Sequence, residues 1–136
     1  MSWLLCADNP EAVFQLYGDE VPSLDGVRLA ELTLHEDGPR LRLRGDFGTF
    51  PANPPPRWRL QGYNTVHFEL DLYGFSDISI RGWSANNRVT IQMESLPGPS
   101  VGVHVKGDTV ELQVRCEMLR ISRLEGYLNQ KDGEEG

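Results

Sequence analysis

The sequence predicts a mostly β protein, α+β only at the margin. It reads as an antiparallel β-sandwich or one strongly curved sheet, with one short N-terminal helix. Three observations point there. From Val27 onward the apolar residues recur with period two, the spacing of half-buried strands. Turn signals interrupt them about every 8–12 residues, as in sandwiches and barrels. No helix-length pattern separates the runs, which argues against a parallel sheet with helical crossovers.

The helix is announced by Asp8-Asn9-Pro10-Glu11. Asp8 or Asn9 caps it, Pro10 suits a first turn that needs no N–H, and Glu11 favours the positive end of the helix. Val13, Phe14 and Tyr17 lie on one face, and Gly18 stops the helix. Asp19 to Gly26 reads as loop. In the first strand Val27 and Leu29 are out of phase with Leu32 and Leu34, so a bulge is expected near Ala30-Glu31. Asp37-Gly38 marks a hairpin into a strand with Leu41 and Leu43 on one face and Arg40, Arg42 and Arg44 on the other.

The long connector from Gly45 to Gly62 carries Phe47, Phe50, a proline run from Pro51 to Pro56, and Trp58. Its aromatic flanks are expected to pin it over the end of the core, although Pro51, Pro54 and Arg57 also resemble a polyproline ligand. Val66, Phe68, Leu70 and Leu72 form the longest clean alternation, with His67, Glu69, Asp71 and Tyr73 facing outward. After a break at Gly74 to Asp77, strands follow around Ile78 and Ile80, then Val89 to Met93, Val101 to Val105, Val110 to Cys116, and Met118 to Leu128. Residues 1–129 read as a single domain and 130–136 as a flexible charged tail, in line with about 150 residues per domain.

Twenty acidic against 13 basic residues give a formal charge of −7. That disfavours nucleic acid and anionic membrane as partners, and suits a basic protein. Residues 1–27 hold Asp8, Glu11, Asp19, Glu20 and Asp25 and no Lys or Arg, so the helix end should be negative. There is no signal-peptide pattern and no apolar run of membrane-spanning length, and Cys6 and Cys116 are too few for a disulfide framework. The expectation is a cytoplasmic protein with reduced thiols.

Chemistry is sparse. His67, Glu69 and Asp71 share one strand face and are the sharpest candidates, but three residues along an extended strand converge poorly on one metal ion. His35 or His104 would have to complete such a site. The simpler reading pairs the carboxylates with Arg40, Arg42 or Arg44 across the ladder. No nucleophile elbow, phosphate-cradling loop or cofactor motif is present, so catalytic, cofactor and metal residues are expected to be none. Cys116 continues the inward phase of its strand and reads as core.

Several motifs recur in an order that resembles the immunity protein 50 family of bacterial polymorphic toxin systems. They are Trp3, the helix from Asn9-Pro10-Glu11-Ala12 to Leu16-Tyr17-Gly18, Val21-Pro22-Ser23-Leu24, and Asp37-Gly38-Pro39. Phe50-Pro51, Pro55-Pro56-Arg57-Trp58, Gly62-Tyr63-Asn64-Thr65-Val66, Asp77-Ile78-Ser79-Ile80 and Gly82-Trp83 complete the set, which reaches about Tyr127. The resemblance implies a small cytoplasmic protein that binds and neutralises a cognate toxin stoichiometrically, without catalysis. It brings no established contact positions. Trp58, Tyr63, His67, Glu69, Asp71 and Tyr73 are the expected partner-binding face, and a basic toxin is the partner the acidity would suit. The rival is a small-ligand or carbohydrate-binding β domain stacking its ligand on Trp58, Tyr63 and Trp83. A third reading, a hydrolase, needs a metal at His67, Glu69 and Asp71.

Overall fold

The computed structural model describes residues 3–130. The expected tail therefore lies outside the described residues apart from Gln130. A 3-10 turn at Trp3–Cys6 precedes helix α1 (Glu11–Tyr17). Eight strands follow: β1 (Val27–His35), β2 (Arg40–Asp46), β3 (Thr65–Tyr73), β4 (Ser76–Arg81), β5 (Arg88–Ser95), β6 (Val101–Gly107), β7 (Glu111–Cys116) and β8 (Met118–Tyr127). A second helix, α2 (Pro56–Gln61), lies between β2 and β3.

All strands pair antiparallel in a single sheet ordered β4-β7-β6-β5-β1-β2-β3-β8. Of the two expected forms, the single strongly curved sheet is the one found. Two features make the curvature. Between β1 and β5 only Val27–Val89 and Arg28–Arg88 are in register, so the sheet is narrow at that junction. At the other side β3 runs through Gly74-Phe75 into β4 and β7 runs through Glu117 into β8, while β3 pairs with β8 and β4 with β7. These make one long bent ribbon, held at the bend by Glu117 N–H donating to Tyr73 C=O at 2.9 Å. Two four-stranded halves result, β1-β2-β3-β8 and β5-β6-β7-β4.

The inner faces of both halves feed one core. Val66, Phe68, Leu70 and Leu72 are fully buried, as their alternation predicts, and so are Leu41 and Leu43. Phe47 lies against Tyr17 and Phe68, with ring centroids 5.9 and 4.7 Å apart. Cys116 is a core residue, and burial pushes its thiol up to about 11. The predicted bulge is present: Leu29 opposes Gly45 and Glu31 opposes Arg44, leaving Ala30 unpaired. The hairpin at Asp37-Gly38 joins His35 to Arg40 as expected.

Four expectations change. Pro10, not Asp8 or Asn9, occupies the cap position of α1, with no side-chain cap. Asn9 instead satisfies the edge of β8, donating to Ile121 C=O and accepting from Ile121 N–H at 2.8 Å each, and Asp8 pairs with Arg120 at 2.9 Å. An unpaired strand edge has more backbone groups to satisfy than a two-turn helix, and Asn carries both donor and acceptor. Phe14 is 48% exposed, because Val13 and Tyr17, four residues apart, define the buried stripe and Phe14 is rotated off it. The connector contains α2, which Pro56 opens and Gly62, at φ +70°, closes. The outward residues of β3 are largely covered, for the reason given next.

Candidate partner-binding face

Among the described residues no layer of helix covers the outer face of β1-β2-β3-β8, yet its polar residues are not simply solvated. Cross-strand register sets Arg28 beside Asp46 and His67, then Glu31 beside Arg44, Glu69 and Arg123, then Arg42 beside Asp71 and Arg120. Charges alternate along each row, the arrangement that opposite strands reward. Arg42 forks onto Asp71, with Nε–Oδ1 at 2.7 Å and Nη2–Oδ2 at 3.0 Å, and its Nη1 reaches Glu69 Oε1 at 3.3 Å. Arg44 bridges Glu31 at 2.7 Å and Glu69 at 3.4 Å, and Arg123 adds a 3.7 Å contact to Glu69. Glu69 is left 6% exposed and Asp71 1%. The expected outward pair is thus buried, because arginine side chains lie across the carboxylates and shield them with their apolar stems.

Asp46 is the second buried centre. It accepts from Tyr127 Oη at 2.6 Å, from Arg28 Nη1 at 3.1 Å, and from His67 Nδ1 at 3.3 Å. Arg44 Nε donates to His67 Nε2 at 3.4 Å, which leaves Nδ1 as the protonated nitrogen that meets Asp46. Burial would raise the Asp46 carboxyl, but the three hydrogen bonds outweigh it and hold the group below the usual carboxylate range. Asp71 behaves alike: burial opposes ionisation, and Arg42 and Ser122 more than compensate. The same bond to Asp71 drives the Arg42 guanidinium further into its charged form.

Trp58 and Tyr63 form a different patch at the α2 corner. Trp58 packs at a tilt against Phe50 and Tyr63, with centroids 6.0 and 6.4 Å apart, so the connector is pinned over the core end by its aromatics as expected. The Trp58 ring also covers Gly126 of β8, where an added Cβ would stand 2.6 Å from it. Beside Trp58 a recess of about 390 Å³ runs between α1, α2 and β8. Ala12, Leu16, Pro55 and Leu124 supply its apolar lining, and Gln15 and Arg123 its polar rim. A larger depression of about 1300 Å³ lies along β5, β6 and β7, next to the loop at Val21–Asp25.

The six expected partner residues therefore fall into two groups. Trp58 and Tyr63 sit together at the α2 corner, partly exposed. His67, Glu69 and Asp71 belong to the charge lattice, and Tyr73 lies at its far end opposite Arg40 and Met118. Arg42 and Arg44 pair with the carboxylates as expected, while Arg40 makes no ion pair among the described residues. Trp83 follows β4, the edge strand at the opposite end of the sheet order from β8, and does not join Trp58 and Tyr63 in one cleft. His104 pairs with Glu111 on the other half-sheet at 3.0 Å, away from the His67 row. Among the described residues no three His, Cys, Asp or Glu side chains are grouped to hold a metal ion.

Asp46, Tyr127 and Ser122 were missed by sequence reasoning. Asp46 had a signal, since it continues the alternation of Arg40, Arg42 and Arg44, but nothing local places Tyr127 beside it. Ala12, Leu16 and Leu124 were missed as well, because their recess is made by three elements far apart in the chain.

Comparison with families of known proteins matches residues 9–127 to the family described as Immunity protein 50. Comparison with curated proteins and with solved structures returns no match.

Proposed function

The chain belongs to the immunity protein 50 family, and from that membership we propose that it protects a cell by binding a cognate toxin stoichiometrically, without catalysis of its own. Family membership carries this reading. The geometry supports binding rather than chemistry, because the buried carboxylates Asp46 and Asp71 are taken up in pairing with neighbouring side chains. Asp71 meets Arg42 and Ser122, Asp46 meets Arg28, His67 and Tyr127, and none of these is left to act on a substrate.

We place the toxin at the α1–α2 corner. An apolar recess beside a partly buried tryptophan is the geometry of an interface anchor, in which a few buried contacts set affinity. Glu11 on α1, with Asp19 and Glu20 just beyond its end, is exposed and free of ion pairs among the described residues. These carboxylates would attract a basic toxin and speed its approach. Glu69 and Asp71 fit this role less well than their place in the sequence suggests, because their charges are already compensated. The encounter belongs in the cytoplasm, where Cys6 and Cys116 stay thiols.

Co-expression with the toxin domain encoded beside this protein tests the reading, scored by growth and by co-purification. Rescue with a stable complex is the expected result. A toxin that is expressed and lethal, with neither rescue nor complex, would sink it. The Trp58→Ala variant then tests the surface: it should retain the fold and release the toxin at least tenfold faster. An unchanged dissociation rate would move the interface elsewhere.

A further inference from the structure

Strand β4 ends the sheet, and nothing among the described residues pairs with its outer edge. The backbone groups on that edge can be assigned from the neighbouring hairpin. Gly107 N–H donates to Val110 C=O, so 110, 112, 114 and 116 direct their backbone groups to β6, and 111, 113 and 115 direct theirs to β4. Ser79 and Arg81 oppose Gln113 and Glu111, and therefore bond within the sheet. The N–H and C=O of Ile80 face the open edge. Its side chain is 41% exposed, and Trp83, three residues on, is 45% exposed. An edge of this kind is a template for another strand.

The residues along it are self-complementary. β4 bulges between Ser76 and Ser79, with Asp77 at φ +52°, so the regular part of the edge begins at Ile78. If two copies meet antiparallel about a twofold axis at Ser79, Ile78 of each lies opposite Ile80 of the other, and the bulged Asp77 stands toward Arg81. Symmetry repeats both pairs, so one apolar contact and one ion pair each occur twice. Cross-strand pairs of these kinds are favourable, and like charges in the same positions are not. Neither charge is committed elsewhere to any depth. Asp77 makes no ion pair among the described residues, and Arg81 meets Glu111 at 3.2 Å while remaining 81% exposed.

We infer that β4 is a self-association edge, on which a second copy of this chain adds its own β4 antiparallel about Ser79 and joins two eight-stranded sheets into one. The contact buries less than the roughly 1,200 Å² of a stable interface, so the dimer is weak and concentration-dependent. It leaves the α1–α2 corner uncovered and does not depend on a toxin.

Sedimentation equilibrium of the full chain over a concentration series, without toxin, is the test. The expected result is a mass that rises reversibly from monomer toward dimer. D77K and R81E, each creating two like-charge pairs, should each shift association to concentrations at least tenfold higher, and the double variant D77K/R81E should recover it. I80P removes an N–H that the sheet does not use, so it should abolish association while the circular dichroism spectrum stays native. If I80P fails to fold, the charge exchange decides alone. A monomer at every concentration would mean that the bulge beside Asp77 only guards the edge, and would overturn the proposal. So would association that both single charge variants leave unchanged.

Discussion

Asp71 shows what a strand-alternation pattern conceals. Period two says correctly that it leaves the inner face, but not that Arg42 and Ser122 close over it. Removing one member of a buried pair strands the other, a loss of about 3 kcal/mol or more, whereas replacing both by apolar groups is far milder. Asp71→Ala should therefore lower stability by about 3 kcal/mol in urea titrations, and Asp71→Leu with Arg42→Met should recover most of it. Acid should act through the same groups. Asp46 and Asp71 ionise more readily folded than unfolded, so their contribution is complete above the ordinary aspartate value of about 3.9 and disappears as pH falls through the lower folded values. Denaturation midpoints should fall between pH 5 and pH 2, and fall less in Asp71→Asn. An equal fall in that variant would show that other groups govern the acid limb.

Turn and bulge chemistry placed most elements correctly, and the exceptions have local causes. The bulge in β1 switches the inward phase from Val27 and Leu29, which are buried, to Leu32, which is half-buried against the core, while Leu34, expected on the same face, is 50% exposed. Gly45 lies opposite Leu29 beside the bulge. A Cβ at Gly45 would collide with the Arg28 carbonyl and crowd the Phe68 ring. Gly45→Ala should therefore disturb the β1–β2 ladder as well as the core. Helix α2 was legible in principle, since Pro56 opens it and Gly62 closes it, but six residues without an apolar stripe have no helical period to read. Its position is set by Trp58 lying on Gly126. Gly126→Ala should displace the ring, shift tryptophan fluorescence, and cost about 1–3 kcal/mol, the usual range for overpacking. Unchanged emission would mean that the ring has room to move aside without consequence.

Across the whole molecule, net charge −7 is not spread evenly over the faces. Positive and negative groups interlock on the β1-β2-β3-β8 face, so that face presents little net field. Glu11, Asp19 and Glu20 make no ion pair among the described residues around α1. Neutralising those three as Gln, Asn and Gln should slow toxin association about tenfold at low salt while leaving dissociation and unfolding nearly unchanged. The difference should fade toward 1 M salt, where screening shortens to about 3 Å. Association that ignores both the substitutions and the salt would place the steering charges on another surface.

Consecutive residues decide period, turns and bulges, and for this chain they determined the antiparallel β class, the eight strands, the buried phase of nearly every strand, and the family resemblance. They could not decide which strands become neighbours. The order β4-β7-β6-β5-β1-β2-β3-β8 arises because β3–β4 and β7–β8 bend together as one ribbon, which pairs residues from 30 (Arg81 with Glu111) to 62 (Thr65 with Tyr127) positions apart. Nor could they decide the fate of the second face of β3. Glu69 and Asp71 look solvent-facing until arginines from β2 and β8 are laid across them. Burial on a sheet's outer face depends on what the neighbouring strands carry, and the neighbours are chosen only when the sheet closes.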